Sequence, residues 1–229
     1  MEGKLILRDI QKIYQKGSVS VEALKGINLL IEKGEFLSIM GPSGSGKTTL
    51  LNIIGCLDVP TKGEVIYDGV ALKNLKEDEL SEYRKKNIGF IFQSYNLIPV
   101  LTVKEDIELP LVVEKKLSPA EREKRVMELI EAVGLKGMEN RYPRELSGGQ
   151  EQRVAIARAL VKKPLLVLAD EPTANLDSVT AEEIIEIMKQ MNEIEKTTFI
   201  FSTHDPRVEK HAKRLIILKD GQIASDEGR

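Results

Sequence analysis

Residues 41–48 read Gly-Pro-Ser-Gly-Ser-Gly-Lys-Thr, and this stretch restricts the fold more than any other in the chain. It fits the pattern Gly-x-x-x-x-Gly-Lys-Thr. The short apolar run Phe36–Met40 precedes it, and a helix-forming run follows, with Leu50, Leu51, Ile53 and Ile54 marking a buried side. Glycines let such a loop curl until successive N–H groups point inward. The helix behind it turns its N-terminus, and so partial positive charge, toward whatever fills the loop. Lys47 adds a full charge, and the Thr48 hydroxyl is a hard oxygen ligand suited to Mg2+. The expected occupant is a nucleoside triphosphate, ATP with magnesium, held by Gly41, Pro42, Ser43, Gly44, Ser45, Gly46, Lys47, Thr48 and Thr49. A Gly/Ser turn that matched by chance would lack the strand and helix flanks.

The second half of a phosphate site stands further along. Leu165-Leu-Val-Leu-Ala-Asp170 is an apolar run that delivers Asp170 at its carboxyl end, where open α/β sheets place ligands. Asp170 is suited to hold magnesium, through water. Glu171 comes one step further into the cleft, and a carboxylate there can polarise an attacking water. Alone, an Asp-Glu pair after a strand reads as a helix-capping turn. Beside a P-loop the chemical reading is favoured.

Around these two features the hydrophobic period changes twice. Leu5 and Leu7 alternate with Lys4, Ile6 and Arg8, a second β segment covers 21–31, and a polar loop over 15–20 is expected between them. Short strands are expected at 65–67 and Ile88–Phe92. From about residue 94 to 163 the pattern is helical, a block of roughly seventy residues. Ser118-Pro119-Ala120-Glu121 opens one of its helices, with Ser118 as N-cap. Val126, Leu129, Ile130 and Val133 form the inner face, and Gly134 stops it. After a buried strand over 165–169, a helix opens at Thr180 with Ile184, Ile187, Met188 and Met191 inside. A strand at Thr198–Ser202 and a hairpin over 214–224 turning on Asp220-Gly221 complete the pattern. The strands flanking the helical block are apolar on both faces, as in a parallel sheet.

Composition narrows the partners. A chain of 229 residues suits one large α/β domain, or one domain with a sizeable insertion. Its 36 acidic and 34 basic residues leave a net charge near −2, so nucleic acid is not expected as a partner. The single cysteine, Cys56, cannot form an internal disulfide and suits a reducing compartment; it is expected to pack on the helix after the P-loop. His211 has no pattern around it and reads as surface. The N-terminal residues do not read as a signal peptide, and no apolar run nears the roughly 18 residues of a bilayer span. If the protein works at a membrane, another chain does the spanning.

Leu146-Ser147-Gly148-Gly149-Gln150 stands ahead of a helix running through Val154 and Ile156. Ser147 can cap that helix, and the glycines expose its first N–H groups as a second anion site. One P-loop and one separate phosphate-binding helix start in the same chain suggest two copies facing head to tail.

At these residues the chain resembles the nucleotide-binding subunits of ABC transporters, over essentially its whole length. Leu146–Gln150 is similar to the signature loop of that family, an element not general among P-loop proteins. The resemblance implies an α/β fold, a P-loop NTPase (RecA-like) core with an N-terminal antiparallel β subdomain and an inserted α-helical subdomain. It implies a single ABC ATPase domain over 1–229: 1–93 and 165–229 form the β subdomain and core, and 94–164 the helical (signature) subdomain. It implies a homodimer with ATP between the P-loop of one copy and Ser147, Gly148, Gly149 and Gln150 of the other. Tyr14 resembles the aromatic that stacks on adenine; an ordinary strand tyrosine is the competing reading. Gln93 resembles the glutamine that contacts magnesium and the attacking water, and His204 the histidine at the γ-phosphate. Glu171, His204, Gln93 and Lys47 are thereby the implied catalytic set, with Thr48, Gln93 and Asp170 at the metal. Ala174-Asn-Leu-Asp177 resembles the loop that crosses the dimer interface, with alanine where serine or glycine is usual. Position 151 is Glu where Gln is frequent. Asn52-Ile-Ile-Gly-Cys-Leu-Asp58, Phe92-Gln-Ser-Tyr-Asn-Leu-Ile-Pro99 and Glu108-Leu-Pro-Leu111 narrow the resemblance to the LolD/MacB group of lipoprotein-release and efflux ATPases. That group implies an integral membrane transporter subunit as partner and a peripheral location on the cytoplasmic face of the membrane. The alternative is a non-transport regulator of a membrane partner, like the cell-division relative FtsE. A soluble cassette acting in DNA repair or on ribosomes would carry a coiled-coil insertion or a second cassette, and the chain has neither.

Overall fold

The computed structural model describes residues 4–17, 19–114 and 116–228. In chain order its strands are β1 (Leu5–Lys16), β2 (Val19–Ile31), β3 (Phe36–Met40), β4 (Lys62–Tyr67), β5 (Val70–Ala71), β6 (Ile88–Phe92), β7 (Leu166–Asp170), β8 (Thr198–Ser202), β9 (Arg214–Lys219) and β10 (Gln222–Gly228). Between them lie the helices α1 (Lys47–Ile54), α2 (Glu77–Asn87), α3 (Val103–Glu114), α4 (Pro119–Ala132), α5 (Gly148–Leu160), α6 (Ser178–Glu195) and α7 (Pro206–His211).

Two sheets result. One is antiparallel, in the order β2-β1-β4-β5; the other runs β10-β9-β3-β8-β7-β6. Neighbours in the second are parallel, except β10, which returns antiparallel along β9. Strands buried on both faces explain the unbroken apolar runs. Phe36, Val167, Ala169, Phe199 and Phe201 face one side, where α3, α4, α5 and α6 supply Ile107, Val126, Ile156 and Ile184. Leu37, Ile39, Leu166, Leu168 and Ile200 face the other, against α1 and the inner face of the antiparallel sheet. The helix that follows the P-loop is thus held between two sheets, and its first turn opens at the carboxyl ends of β3 and β7.

Phe201 sits at the centre of the first layer, its ring 4.7 Å from Phe36 and 6.0 Å from Phe199. Phe201→Ala removes a fully buried ring, so it is expected to cost about 3–5 kcal/mol. Urea unfolding measures this, and a loss below about 1 kcal/mol, the bottom of the range for core truncation, would contradict the packing described.

Several boundaries differ from the sequence expectation. Most of the expected loop over 15–20 is strand: Tyr14, Gln15 and Lys16 pair with Val21, Ser20 and Val19. The ladder begins at Val19, well ahead of Leu24, the first buried residue of β2, so hydrophobic period underestimates it. Ser18, in that loop, lies outside the described residues. The helical block begins only at Val103, after an irregular stretch, and α6 starts at Ser178 because the Asp177 carboxylate accepts from the Val179 and Thr180 amides. Two helices were not expected. α2 buries no side chain completely and so has no apolar stripe, although Glu77, Asp78 and Glu79 at its start and Arg84, Lys85 and Lys86 at its end fit the helix dipole. α7 is short and opens with Asp205 and Pro206. β4 starts at Lys62, β7 at Leu166, and β10 extends to Gly228.

Cys56 packs in the core as expected, but in the left-handed turn after α1 ends at Ile54 and not on the helix itself; burial pushes its thiol up to about 11. His211 is not a surface residue. It is partly buried between α6 and α7, with Nε2 2.7 Å from Glu182 Oε1.

Candidate active site

α1 begins unlike its neighbours. Side-chain oxygens of Ser118, Ser147, Asp177 and Asp205 cap α4, α5, α6 and α7. At the start of α1 stands Gly46, at φ 104°, with no side-chain cap and no acidic residue in the first turn. The first helical bond runs from Leu50 N to Gly46 O (2.8 Å). The amides ahead of it have no intrahelical acceptor, which suits them to an anion. The loop is pressed against its surroundings. A Cβ at Gly41 would come within 2.0 Å of Leu218 O, and one at Gly46 within 2.7 Å of Ala23 O. Lys47 lies back over the loop, its Nζ donating to Gly41 O (2.8 Å) and Pro42 O (3.1 Å).

The loop forms one wall of a cleft of about 720 Å3. Pro42, Ser43, Gly44, Lys47, Thr48 and Thr49 line it together with Gln93, Asp170, Glu171 and His204. Ser45 lies beneath the loop, buried, its carbonyl accepting from Gly221 N (3.1 Å). The cleft also contains Val21, Glu22, Ala23 and Ser202, which sequence spacing did not single out.

Asp170 ends β7, and Thr48 Oγ1 lies 3.4 Å from Asp170 Oδ2. Two hard oxygens so placed at a phosphate loop fit the donor set of Mg2+. Ser202 stands opposite Asp170 in the strand register, and its buried hydroxyl, with no hydrogen-bond partner among the described residues, adds to the polar character of this corner. Glu171 follows in a left-handed turn (φ 46°), held by its N–H to Ser202 O (2.8 Å). A non-glycine residue there is strained, and the strain re-aims its side chain. Its carboxylate accepts from Thr203 Oγ1 (2.9 Å) at Oε2 and meets His204 Nδ1 (2.7 Å) at Oε1. Thr203 itself carried no sequence signal. Behind it, Thr173 Oγ1 donates to Asp205 Oδ2 (2.6 Å), tying the loop after Glu171 to the loop after His204. Burial acts to raise the Asp205 carboxyl, but hydrogen bonds from Arg207 and Thr173 outweigh it and hold it below the usual range.

Gln93 follows β6, its carbonyl accepting from Asn175 Nδ2 (3.0 Å). Tyr14 does not line this cleft. Its hydroxyl donates to Asp58 Oδ2 (2.7 Å), and Lys12 Nζ stands 4.9 Å from its ring centre. Ser147, Gly148, Gly149 and Gln150 do not line the cleft either. Ser147 and Gln150 cap each other, Ser147 N to Gln150 Oε1 (3.0 Å) and Gln150 N to Ser147 Oγ (3.4 Å). The two glycines are close to neighbours: a Cβ on Gly148 would lie 2.9 Å from Tyr95 Oη, and one on Gly149 2.4 Å from Thr180 Cγ2.

Comparison with known proteins agrees on one family. The ABC transporter model matches residues 24–174. The chain is 49% identical to the ABC transporter ATP-binding protein MJ0796 of Methanocaldococcus jannaschii, covering 96% of this chain and 95% of the relative. It is 44% identical to the macrolide export ATP-binding/permease protein MacB of Syntrophobacter fumaroxidans, covering 97% of this chain but 31% of that longer protein. Among solved structures, the dimeric post-hydrolysis state of MJ0796 bound to ADP and Pi superposes with a TM-score of 0.90 at 48% identity, covering 98% of each chain.

Proposed function

This chain belongs to the ABC transporter ATP-binding family, and on that premise we propose that it powers an integral membrane subunit of the MacB or lipoprotein-release type. It is an ATPase cassette of the P-loop fold. No helix among the described residues is long and apolar enough to cross a membrane, so in this reading the chain sits on the cytoplasmic face against a spanning partner. The observation that carries the proposal is the division of the phosphate sites. P-loop, Asp170, Glu171, Gln93 and His204 share one cleft, and the signature loop stands outside it. A second copy, placed head to tail, would bring its own Ser147 and Gly149 to that cleft.

In this mechanism the uncapped amides of α1 and Lys47 receive the phosphates of ATP. Lys47 exchanges the Gly41 and Pro42 carbonyls for phosphate oxygens. Thr48, Asp170 and Gln93 would hold magnesium, which when bound would neutralise phosphate charge. Glu171 accepts a proton from water as its oxygen attacks the γ-phosphorus in line, and ADP leaves. His204 and Thr203 orient that carboxylate. After cleavage the phosphate bridge between the copies is lost and the dimer reopens.

The membrane partner is tested by purifying the tagged chain in mild detergent and sequencing what accompanies it. The expected companion is a multi-span membrane protein with a large extracytoplasmic domain. A companion without such a domain overturns the MacB-type assignment. A companion that has one but moves no cargo points to a regulator instead.

A further inference from the structure

The main chain just after Gln93 is gripped by the helix whose start is the signature loop. Tyr95 and Asn96 both have left-handed backbones, at φ 58° and 52°; an asparagine tolerates this, but the bulky Tyr95 adopts it only under constraint. Arg158, near the end of α5, supplies the constraint. Its Nη2 donates to Tyr95 O (2.7 Å) and its Nη1 to Asn96 O (2.7 Å). Nη1 also reaches Asp106 Oδ1 (2.9 Å). Asp106, on α3, is only 1% exposed, and its other oxygen accepts from Ile98 N (2.8 Å). One guanidinium and one carboxylate thus fix four points of the stretch 95–98 and its supports.

At the other end of α5 the same stretch touches the signature loop. Tyr95 Oη lies over Gly148, where a Cβ would come within 2.9 Å of it, and Leu176 Cδ2 would stand 3.9 Å from the same point. Gln93 is tied in turn to Asn175, next to Leu176. The segment is therefore clamped along α5, by Arg158 near one end and by Tyr95 on Gly148 at the other. A buried ion pair is rarely needed for stability, since apolar packing serves as well, but it does fix geometry. A planar fork that takes two adjacent carbonyls and a carboxylate is suited to arginine and not to lysine.

We propose that Arg158, held by Asp106, is a positioning residue that locks the main chain after Gln93 to the helix presenting the signature loop. The glutamine of one ATP site and the loop offered to the other then move as one piece. This rests on the reading that ATP is sandwiched between two copies. The clamp itself is a property of the single chain and can be tested apart from that reading.

The test uses Arg158→Lys, which keeps the charge and loses the fork, and Asp106→Asn, which keeps an acceptor for Ile98 and loses the charge. Hydrogen exchange of the nucleotide-free chain comes first. Both variants should speed exchange about tenfold or more in peptides covering 93–98 and 147–151, with the P-loop helix unchanged. Faster exchange in 93–98 alone, or in neither, overturns the clamp. Turnover and ATP affinity come second. The P-loop is untouched, so the ATP dissociation constant should stay within about twofold of the parent, while kcat falls about 10- to 100-fold, as displacement of an aligned group does. Asp106→Asn should fall less than Arg158→Lys. A folded Arg158→Lys protein with parental kcat overturns the proposal. If Arg158→Lys does not fold, Asp106→Asn decides alone on both readouts. Failure of the parent to dimerise with ATP would strike the sandwich reading and leave the exchange result to judge the clamp.

Discussion

Glu171→Gln is expected to hydrolyse ATP about 10²- to 10⁴-fold more slowly than the parent, the range for loss of a general base, and with ATP present to elute from gel filtration as a dimer. The substitution keeps the shape of the side chain. Its amide oxygen can still accept from Thr203, and its amide nitrogen can face His204, so the partners at 2.9 and 2.7 Å are retained. The left-handed turn at 171 and its bond to Ser202 involve main chain only. What is lost is the carboxylate's ability to take a proton from water. ATP binding depends on the loop and α1, and should be unaffected. Steady-state phosphate release and elution volume with and without ATP measure the two halves. Normal turnover would remove Glu171 from the role of base. Slow turnover without a dimer would leave the base intact and count against ATP as the bridge.

Gly149→Ala should share the loss of turnover but not the dimer: ATP still binds to the single chain, no dimer forms, and turnover falls about 100-fold, as when a reacting group is misplaced. A Cβ at 149 would lie 2.4 Å from Thr180 Cγ2. Thr180 cannot easily give way, because its hydroxyl is bonded to Asp177 Oδ2 (2.6 Å) and its amide to Asp177 Oδ1 (3.1 Å). The first turn of α5 must shift, and with it the amides that in the proposed dimer would meet the partner's ATP. Placed in the Glu171→Gln background, Gly149→Ala should abolish the trapped dimer, which sedimentation velocity with ATP would show. A dimer that persists means the signature loop is not the contact between copies. A melting midpoint close to the parent's separates loss of contact from loss of fold.

The parts of this site that the sequence disclosed are those built from a single local element. A strand end, a glycine turn and a helix start lie within 36–54, so one window of sequence contains both the pattern and its confirmation. Asp170 and Glu171 were readable for the same reason. Their convergence with Gln93 and His204 was implied by family resemblance, because the strand order that joins them, β3 beside β8 beside β7 beside β6, is not local. Thr203 escaped notice because a hydroxyl at the end of a strand has no spacing that marks it. Helix α2 escaped because no side chain on it is fully buried, so no apolar stripe appears. His211 was misjudged for a related reason: its carboxylate partner, Glu182, lies on a different helix. Arg158 and Asp106 are 52 residues apart, and nothing in either neighbourhood advertises the other.

Lys47, folded onto the carbonyls of Gly41 and Pro42, has oxygen partners inside its own loop. In the proposed mechanism the ammonium would exchange one set of oxygen acceptors for another as nucleotide binds, so filling the site would not require the loop to be built afresh. Little ordering entropy is then spent on each round, and the dissociation constant reports contacts with the ligand more than the cost of shaping the receptor. The same exchange works in reverse once the γ-phosphate has gone. A lysine with an alternative seat would, in that mechanism, ease the departure of phosphate as well as its capture.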